Sequence, residues 1–394
     1  MENALTVLVI GAGMYVCGRG TDGFGTVLPA LYQAKKQGLV GRVVIAATSP
    51  ESIKVLKAKV KKLNLIFKDE LSISYLPDRK KRDPEAYKKA FDLGINFDCA
   101  IISVPDKQHA AVTSYLLRKK LHCLVVKPLA PTLKEVKQLI ELQLASQVYG
   151  AVEFHKRYDR SNLKLKDVIR EGKIGDPLYF LVEYSQRKSI PLEKFKHWVN
   201  QTNIFQYLGI HYVDIIYFAT GARPIRVMAI GQKNYLKSKG VDNYDSIQCV
   251  VEWRLPNGKE FSSTLLTNWI DPEKNSAMSD QKIKIIGTRG SYEADQKDRG
   301  ITMVTDDDGI EVPNPDFSSF YGQSGTEDFS FQGYGYQSIR RFLADVVAVK
   351  EGTIMPAALE GRRPTFSASI VPTAVIEAAN KSLARGGKWL NVKT

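Results

Sequence analysis

Long hydrophobic runs are missing from this chain. No stretch approaches the ~18 apolar residues that a membrane span requires. The N-terminal apolar run Leu5–Ile10 is too short for the core of a secretory signal and ends in glycines instead of a cleavage site. Cysteine is scarce: Cys17, Cys99, Cys123 and Cys249 are widely spaced, which matches neither a zinc pattern nor a dense disulfide framework. These absences predict no membrane partner and no metal, with a reducing, cytoplasmic setting as the simplest home. Internal repeats are not visible, and no low-complexity tract is long enough to argue for disorder.

What remains is ordinary globular composition, 44% hydrophobic and 25% charged, in 394 residues. That length exceeds one typical core and fits two domains. The 56 Lys+Arg against 42 Asp+Glu give a net charge of +14. Such a balance raises nucleic acid as a partner and equally fits an anionic cofactor or substrate. The basic residues are scattered, and the densest runs, Lys54 to Lys68 and Arg79 to Lys89, read as solvated faces, so the reading is against nucleic acid.

Leu5–Ile10, Val43–Thr48, Cys99–Val104 and Leu121–Val126 are short runs rich in valine and isoleucine, the pattern of strands buried on both faces. Amphipathic stretches of helical length lie between them and after the last: Val27–Gln37, Glu51–Leu63, Lys107–Lys119 and Leu133–Ala145. This alternation predicts an α/β, doubly wound parallel sheet of the Rossmann type over residues 1–150. After that the grammar changes. Leu163–Glu171 and Ile204–Phe218 read as helices, and Leu178–Gln186, Ile225–Gln232, Ser246–Leu255, Glu260–Trp269 and Lys282–Ile286 as strands joined by turns such as Pro256-Asn257-Gly258. Asp306–Gly335 reads as a long loop, followed by helices around Ile339–Lys350 and Ser367–Leu383. Residues 151–394 are therefore expected to form one α+β domain with a mostly antiparallel open sheet.

Gly11-Ala12-Gly13 falls where the first strand turns towards a helix, the place where a dinucleotide pyrophosphate meets backbone N–H groups. Gly11, Gly13, Met14 and Tyr15 are the candidate contacts. Val16 replaces the third glycine of the fingerprint, and a glycine-rich insertion from Gly18 to Gly25 follows. Thr48-Ser49-Pro50 ends the second strand, where NAD-binding chains place an acidic residue on the ribose. No carboxylate there repels a 2′-phosphate, and Lys54 is near, which favours NADP over NAD by a small margin and leaves both open.

Several further motifs come in a telling order: Ser103-Val104-Pro105-Asp106 with His109, Val126-Lys127-Pro128-Leu129, Phe154-His155-Lys156-Arg157-Tyr158, Gly172-Lys173-Ile174-Gly175-Asp176-Pro177 and Gly209-Ile210-His211-Tyr212-Val213-Asp214. In that order they resemble the glucose–fructose oxidoreductase / inositol dehydrogenase / MocA family over nearly the whole chain. The resemblance implies a hydride passing between a carbon-bound hydroxyl of a sugar, sugar derivative or cyclitol and C4 of a nicotinamide. It adds Ser103, Val104, Pro105 and His109 to the cofactor contacts and implies a homodimer or homotetramer joined through the open sheet.

Lys127 matches the family's lysine at the reacting oxygen, with contact to the cofactor as well. It follows an apolar strand, so desolvation should lower its pKa into a range useful for proton transfer. A lysine snorkelling from a strand end is the competing reading. His211, on an apolar helix, is the second catalytic candidate. One helical turn before it, where many relatives carry Asp, this chain has Tyr207, which can orient or donate to substrate but carries no charge at neutral pH. The family's glutamate before the lysine is Val126 here. His155, Arg157, Trp198 and Asn203 are the candidate substrate contacts. Two alternatives to a dehydrogenase stay open: a lyase or glycosidase that uses held NAD transiently, and a non-catalytic ligand sensor on the same fold.

Overall fold

The computed structural model describes residues 4–78, 81–322 and 328–394. Arg79 and Lys80, which open one of the basic runs, and residues 323–327 of the long loop lie outside the described residues. The chain divides into two compact units, the first comprising Met1–Ala130, Lys134–His155 and Asp316–Ala368, the second Pro131–Leu133, Lys156–Pro315 and Ser369–Thr394. No helix among the described residues is long and apolar enough to cross a membrane.

In the first unit six strands, β1 (Leu5–Ile10), β2 (Val40–Ala46), β3 (Ser72–Leu76), β4 (Cys99–Ile102), β5 (His122–Val126) and β6 (Gly150–Glu153), form one sheet in the order 3-2-1-4-5-6. Every pairing is parallel. The Rossmann order follows, with its switch point between β1 and β4, where crossovers leave the sheet in opposite directions. The central strands are buried on both faces, which is why they read as continuous apolar runs. β3 and β6 are not among the runs read from sequence. Ser-Ile-Ser-Tyr-Leu alternates as an edge strand does, and Gly-Ala-Val-Glu is too short and too small to stand out.

The segment from Asp316 departs from the expected boundary, because it belongs to the first unit. The stretch read as a long loop, with the residues just before it, holds two short ribbons, Met303–Thr305 with Gly309–Glu311 and Ser319–Gly322 with Phe329–Gln332. From the second ribbon and the helix Tyr334–Lys350, Phe331, Tyr336, Ile339, Phe342, Leu343 and Val346 enter the same core as Leu5, Val7 and Leu31. Each such side chain contributes about 1.5–3 kcal/mol relative to exposure. Gln33 Oε1 accepts from the Phe331 N–H at 2.9 Å and Gln37 Oε1 from the Tyr336 hydroxyl at 2.7 Å, so the attachment is polar as well as apolar.

In the second unit seven strands, β7 (Pro177–Arg187), β8 (Arg223–Gln232), β9 (Ser246–Arg254), β10 (Glu260–Asp271), β11 (Ser279–Gly287), β12 (Gly290–Asp295) and Leu390–Asn391, form a sheet in the order β12-β11-β7-β10-β9-β8 and then the terminal strand. Only β7 and β10 pair in parallel; the other neighbours are antiparallel. Along β9 the buried Ile247, Cys249, Val251 and Trp253 alternate with half-exposed Ser246, Gln248, Val250 and Glu252, the signature of a sheet covered on one face. The helix Ile370–Ala384 packs on β8 and against the helix Ile210–Thr220.

Candidate active site

Gly11 sits at φ +114°, and a Cβ there would lie 2.0 Å from the Ser103 carbonyl oxygen, so only glycine lets the backbone after β1 approach the backbone after β4 this closely. Around Gly13 a Cβ would meet nothing within 4 Å, which leaves the backbone open to a close-approaching group. The helix that follows, Met14–Cys17, is a single turn ended by Gly18, where an unbroken fingerprint would run on. The insertion to Gly25 folds back onto the helix Pro50–Phe67 instead. Lys59 Nζ donates to the carbonyls of Thr21, Asp22 and Gly23 at 2.7–2.9 Å. Arg19 Nη1 donates to Ser52 Oγ at 2.6 Å, and Ser52 Oγ lies 2.9 Å from Ser49 Oγ, the cap of that helix. A guanidinium and two hydroxyls are thus linked just beyond β2, with Thr48 exposed beside them. Arg19 is absent from the residues singled out in the sequence, where it is hidden inside the insertion.

Ser103, Val104 and Pro105 form a half-buried loop after β4. His109, expected to touch cofactor, has Nε2 2.8 Å from the Val104 carbonyl and Nδ1 2.5 Å from the Pro128 carbonyl. With both ring nitrogens on backbone oxygens and the ring buried, it braces the loop after β4 against the residue that follows Lys127.

Lys127 itself is 7% exposed at the end of β5. Burial pushes its ammonium down to about 8, and the carboxylates of Asp106 and Glu153 work against that fall. Glu153 ends β6, is 1% exposed, and its Oε2 lies 2.7 Å from His155 Nδ1. The His155 ring stacks between Tyr15, at 6.1 Å, and Tyr334, at 5.7 Å, with Phe317 at 5.4 Å. His155 and Tyr15, read from sequence as substrate and cofactor contacts, are therefore brought together with Glu153, which that reading missed. Burial and then Glu153 hold the Tyr15 phenol well above its usual range, so it stays neutral.

In the second unit the stretch read as one helix over Ile204–Phe218 begins as a π-helical turn, Phe205–Gly209, before the α-helix Ile210–Thr220. Such turns gather at functional sites. A Cβ on Gly209 would fall 2.4 Å from the Phe205 ring, so the wide turn needs that glycine. Tyr207 lies against Phe195 at 4.9 Å, Trp198 at 6.0 Å and Trp269 at 6.1 Å, and His211 follows, 3% exposed. Asn203 turns inward: its Nδ2 donates to Asn380 Oδ1 at 2.7 Å and its Oδ1 accepts from the Gln206 N–H at 2.8 Å. Both ends of the amide hold the start of the helix, whereas the sequence suggested a substrate contact.

Arg157 is likewise committed. Nε and Nη2 form a bidentate pair with Asp214 at 2.8 and 2.6 Å, and the guanidinium lies 5.0 Å over the Phe218 ring. The neighbouring Lys156 is fully buried, bonded to Gln281 and Gln296 with Tyr184 and Tyr212 around its ammonium. Gln296 continues to Asp159, which also holds Arg299. A cationic pair on one short turn thus anchors the His211 helix and the sheet, a role no local pattern announces.

These features fit a nicotinamide dinucleotide in the first unit: an open glycine turn at the switch point, a hydroxyl and guanidinium cluster beyond β2, and a buried lysine after β5. Known proteins agree. Residues 5–154 match the oxidoreductase family with an NAD-binding Rossmann fold, and residues 162–293 the GFO/IDH/MocA C-terminal domain. The chain is 25% identical over 232 residues to myo-inositol 2-dehydrogenase of Thermotoga maritima, spanning 57% of this chain and 65%, just under two thirds, of that enzyme. Inositol 2-dehydrogenase of Rhizobium meliloti is 22% identical over 298 residues, 75% of this chain and 83% of its own. The fold matches that of scyllo-inositol dehydrogenase from Lactobacillus casei, solved with NAD(H) and scyllo-inositol, with a TM-score of 0.66 and 15% identity over 99% of this chain and 100% of that one. An inositol dehydrogenase homologue from Azotobacter vinelandii complexed with NAD+ gives a TM-score of 0.69 and 17% identity, over 98% and 97% of the two chains.

Proposed function

Because this chain belongs to the GFO/IDH/MocA family of oxidoreductases, we propose that it oxidises a CH–OH group of a cyclitol, sugar or sugar derivative, or reduces the matching ketone. The bound dinucleotide supplies the hydride acceptor or donor at C4 of its nicotinamide. Gly11, Gly13 and Met14 would hold the pyrophosphate through backbone N–H groups, and Ser103, Val104 and Pro105 would border the nicotinamide side. Lys127 takes the hydroxyl proton in oxidation and returns it in reduction. The observation that carries this reading is the burial of that lysine, with its ammonium near 8 and so poised between both forms close to neutral pH. His211, Tyr207 and Trp198 are proposed to bind and orient substrate, His211 also serving as proton partner. His109, Asn203 and Arg157 are assigned to positioning instead. A panel of inositols and sugars with NAD+ or NADP+ tests the activity. Net accumulation of reduced cofactor supports it, and bond cleavage without accumulation would point to elimination.

The cofactor is proposed to be NADP rather than NAD. Arg19, Ser49 and Ser52 offer donors where a 2′-phosphate would sit, and an ion-assisted bond of this kind is worth about 1.5–3 kcal/mol. Arg19→Ala should weaken NADP binding about 10–100-fold and leave NAD nearly unchanged. Ser49→Asp should shift preference towards NAD by restoring a ribose acceptor. Calorimetric titration checks both, and equal losses for the two dinucleotides would remove this cluster from the ribose.

The assembly is proposed to be a homodimer or homotetramer joined through the uncovered face of the β7–β12 sheet. A charge placed there, Val250→Glu, should lower the mass measured by light scattering, and an unchanged mass would move the interface elsewhere.

A further inference from the structure

A buried ammonium needs a counter-charge, or it loses its proton outright. The strand that leads into Lys127 offers none, since β5 reads His-Cys-Leu-Val-Val. Glu153, the last residue of β6, is in parallel register with Val126, the residue before Lys127, and is 1% exposed. Its Oε2 is held by His155, and the ring of His155 is fixed by the Tyr15 and Tyr334 stack. Its Oε1 is shut away from solvent, and the buried Tyr15 phenol lies beside the carboxylate.

We propose that Glu153 is a positioning residue of Lys127, supplying from the neighbouring strand a negative charge that acts with that of Asp106 on how tightly the lysine holds its proton. The groups facing Lys127 are Asp106, from the turn after β4, and Glu153; those facing Glu153 are His155 and Tyr15, with Tyr334 acting on Tyr15. Asp106 and Glu153 both favour the charged lysine, and the Tyr15 phenol is neutral. Loss of the Glu153 charge therefore leaves burial less opposed, and the lysine releases its proton at lower pH.

This inference rests on Lys127 being the proton carrier only for its activity readout. The primary test is a double-mutant cycle on urea unfolding at pH 7 with Lys127→Met, Glu153→Gln and the double variant. Glu153→Gln should lower the unfolding midpoint, and Lys127→Met should restore much of it, because the substitution removes a buried cation that has kept only one of its two counter-charges, Asp106. If Glu153→Gln fails to fold, the double variant should fold. Additive losses, or a double variant as unstable as the sum of both, overturn the proposal.

In the folded Glu153→Gln enzyme the pH midpoint for oxidation of myo-inositol, or of the best polyol in the panel, should move down by about 1 unit. His155→Phe keeps an aromatic ring in the stack but removes the hydrogen bond that favours the charged form of the buried Glu153, so it should also move the midpoint down. Unchanged midpoints in both variants, with turnover still dependent on Lys127, refute the role of Glu153 alone. Turnover that survives Lys127→Met refutes the lysine reading and leaves the stability cycle as the judge of the pair.

Discussion

Lys127→Met is expected to lower turnover about 10²–10⁴-fold, the range associated with a lost general acid–base. The variant should still fold and bind dinucleotide close to normally, because methionine approximates the length and apolar packing of the lysine stem. The sign of the pH dependence follows from burial. Oxidation needs the neutral amine to accept a proton, so its rate rises with pH through about 8; reduction needs the ammonium, so its rate falls through the same point. A positively charged nicotinamide pushes the midpoint lower still for oxidation. His211→Asn should cost less turnover and displace the optimum if the imidazole is only the proton partner. Tyr207→Phe removes one hydroxyl and almost no volume, so a raised KM at unchanged kcat marks an orienting phenol. Oxidation with a flat pH profile, or a drop for Tyr207→Phe as large as that for Lys127→Met, would reverse the ranking of these residues.

Local patterns exposed whatever is periodic along the chain. The buried runs of β1, β2, β4 and β5 announced a parallel sheet, and the consecutive strands joined by short turns after residue 150 announced a mostly antiparallel one. Lys127 and His211 stood out because the resemblance marks them, and only secondarily because each follows or occupies an apolar element. What stayed hidden depends on pairing between distant segments. Glu153 acquires its meaning from the register of β6 against β5, and Arg19 from an insertion folded onto the helix Pro50–Phe67. The Asp316–Ala368 segment fills the core of the first unit from far along the chain, so no boundary based on sequence order alone would assign it there. Arg157 by its match to the family and Asn203 by its place ahead of the His211 helix suggested ligand contacts, yet each meets an internal partner, Asp214 and Asn380, that spacing does not reveal.

Asp214→Asn is expected to destabilise the second unit by about 3–5 kcal/mol, since it keeps the shape of the side chain and removes the charge that balances a buried guanidinium. In thermal unfolding that amounts to a fall of about 10 °C or more. Both partners are nearly closed to solvent, with Asp214 1% and Arg157 10% exposed at the side chain, so water cannot replace the lost contact. Breaking the pair differs from replacing it: Arg157→Met with Asp214→Leu together removes both charges from an environment that already includes Phe218. The double variant should recover most of the lost stability, because two apolar groups carry no unmet charge. It also separates the two roles open to Arg157. A residue that only anchors the His211 helix predicts that the double variant regains Tm together with wild-type KM. A residue that also binds substrate predicts regained Tm with KM still raised, and that result would return Arg157 to the substrate contacts, since stability and affinity would then have been separated by a change that leaves the helix anchored.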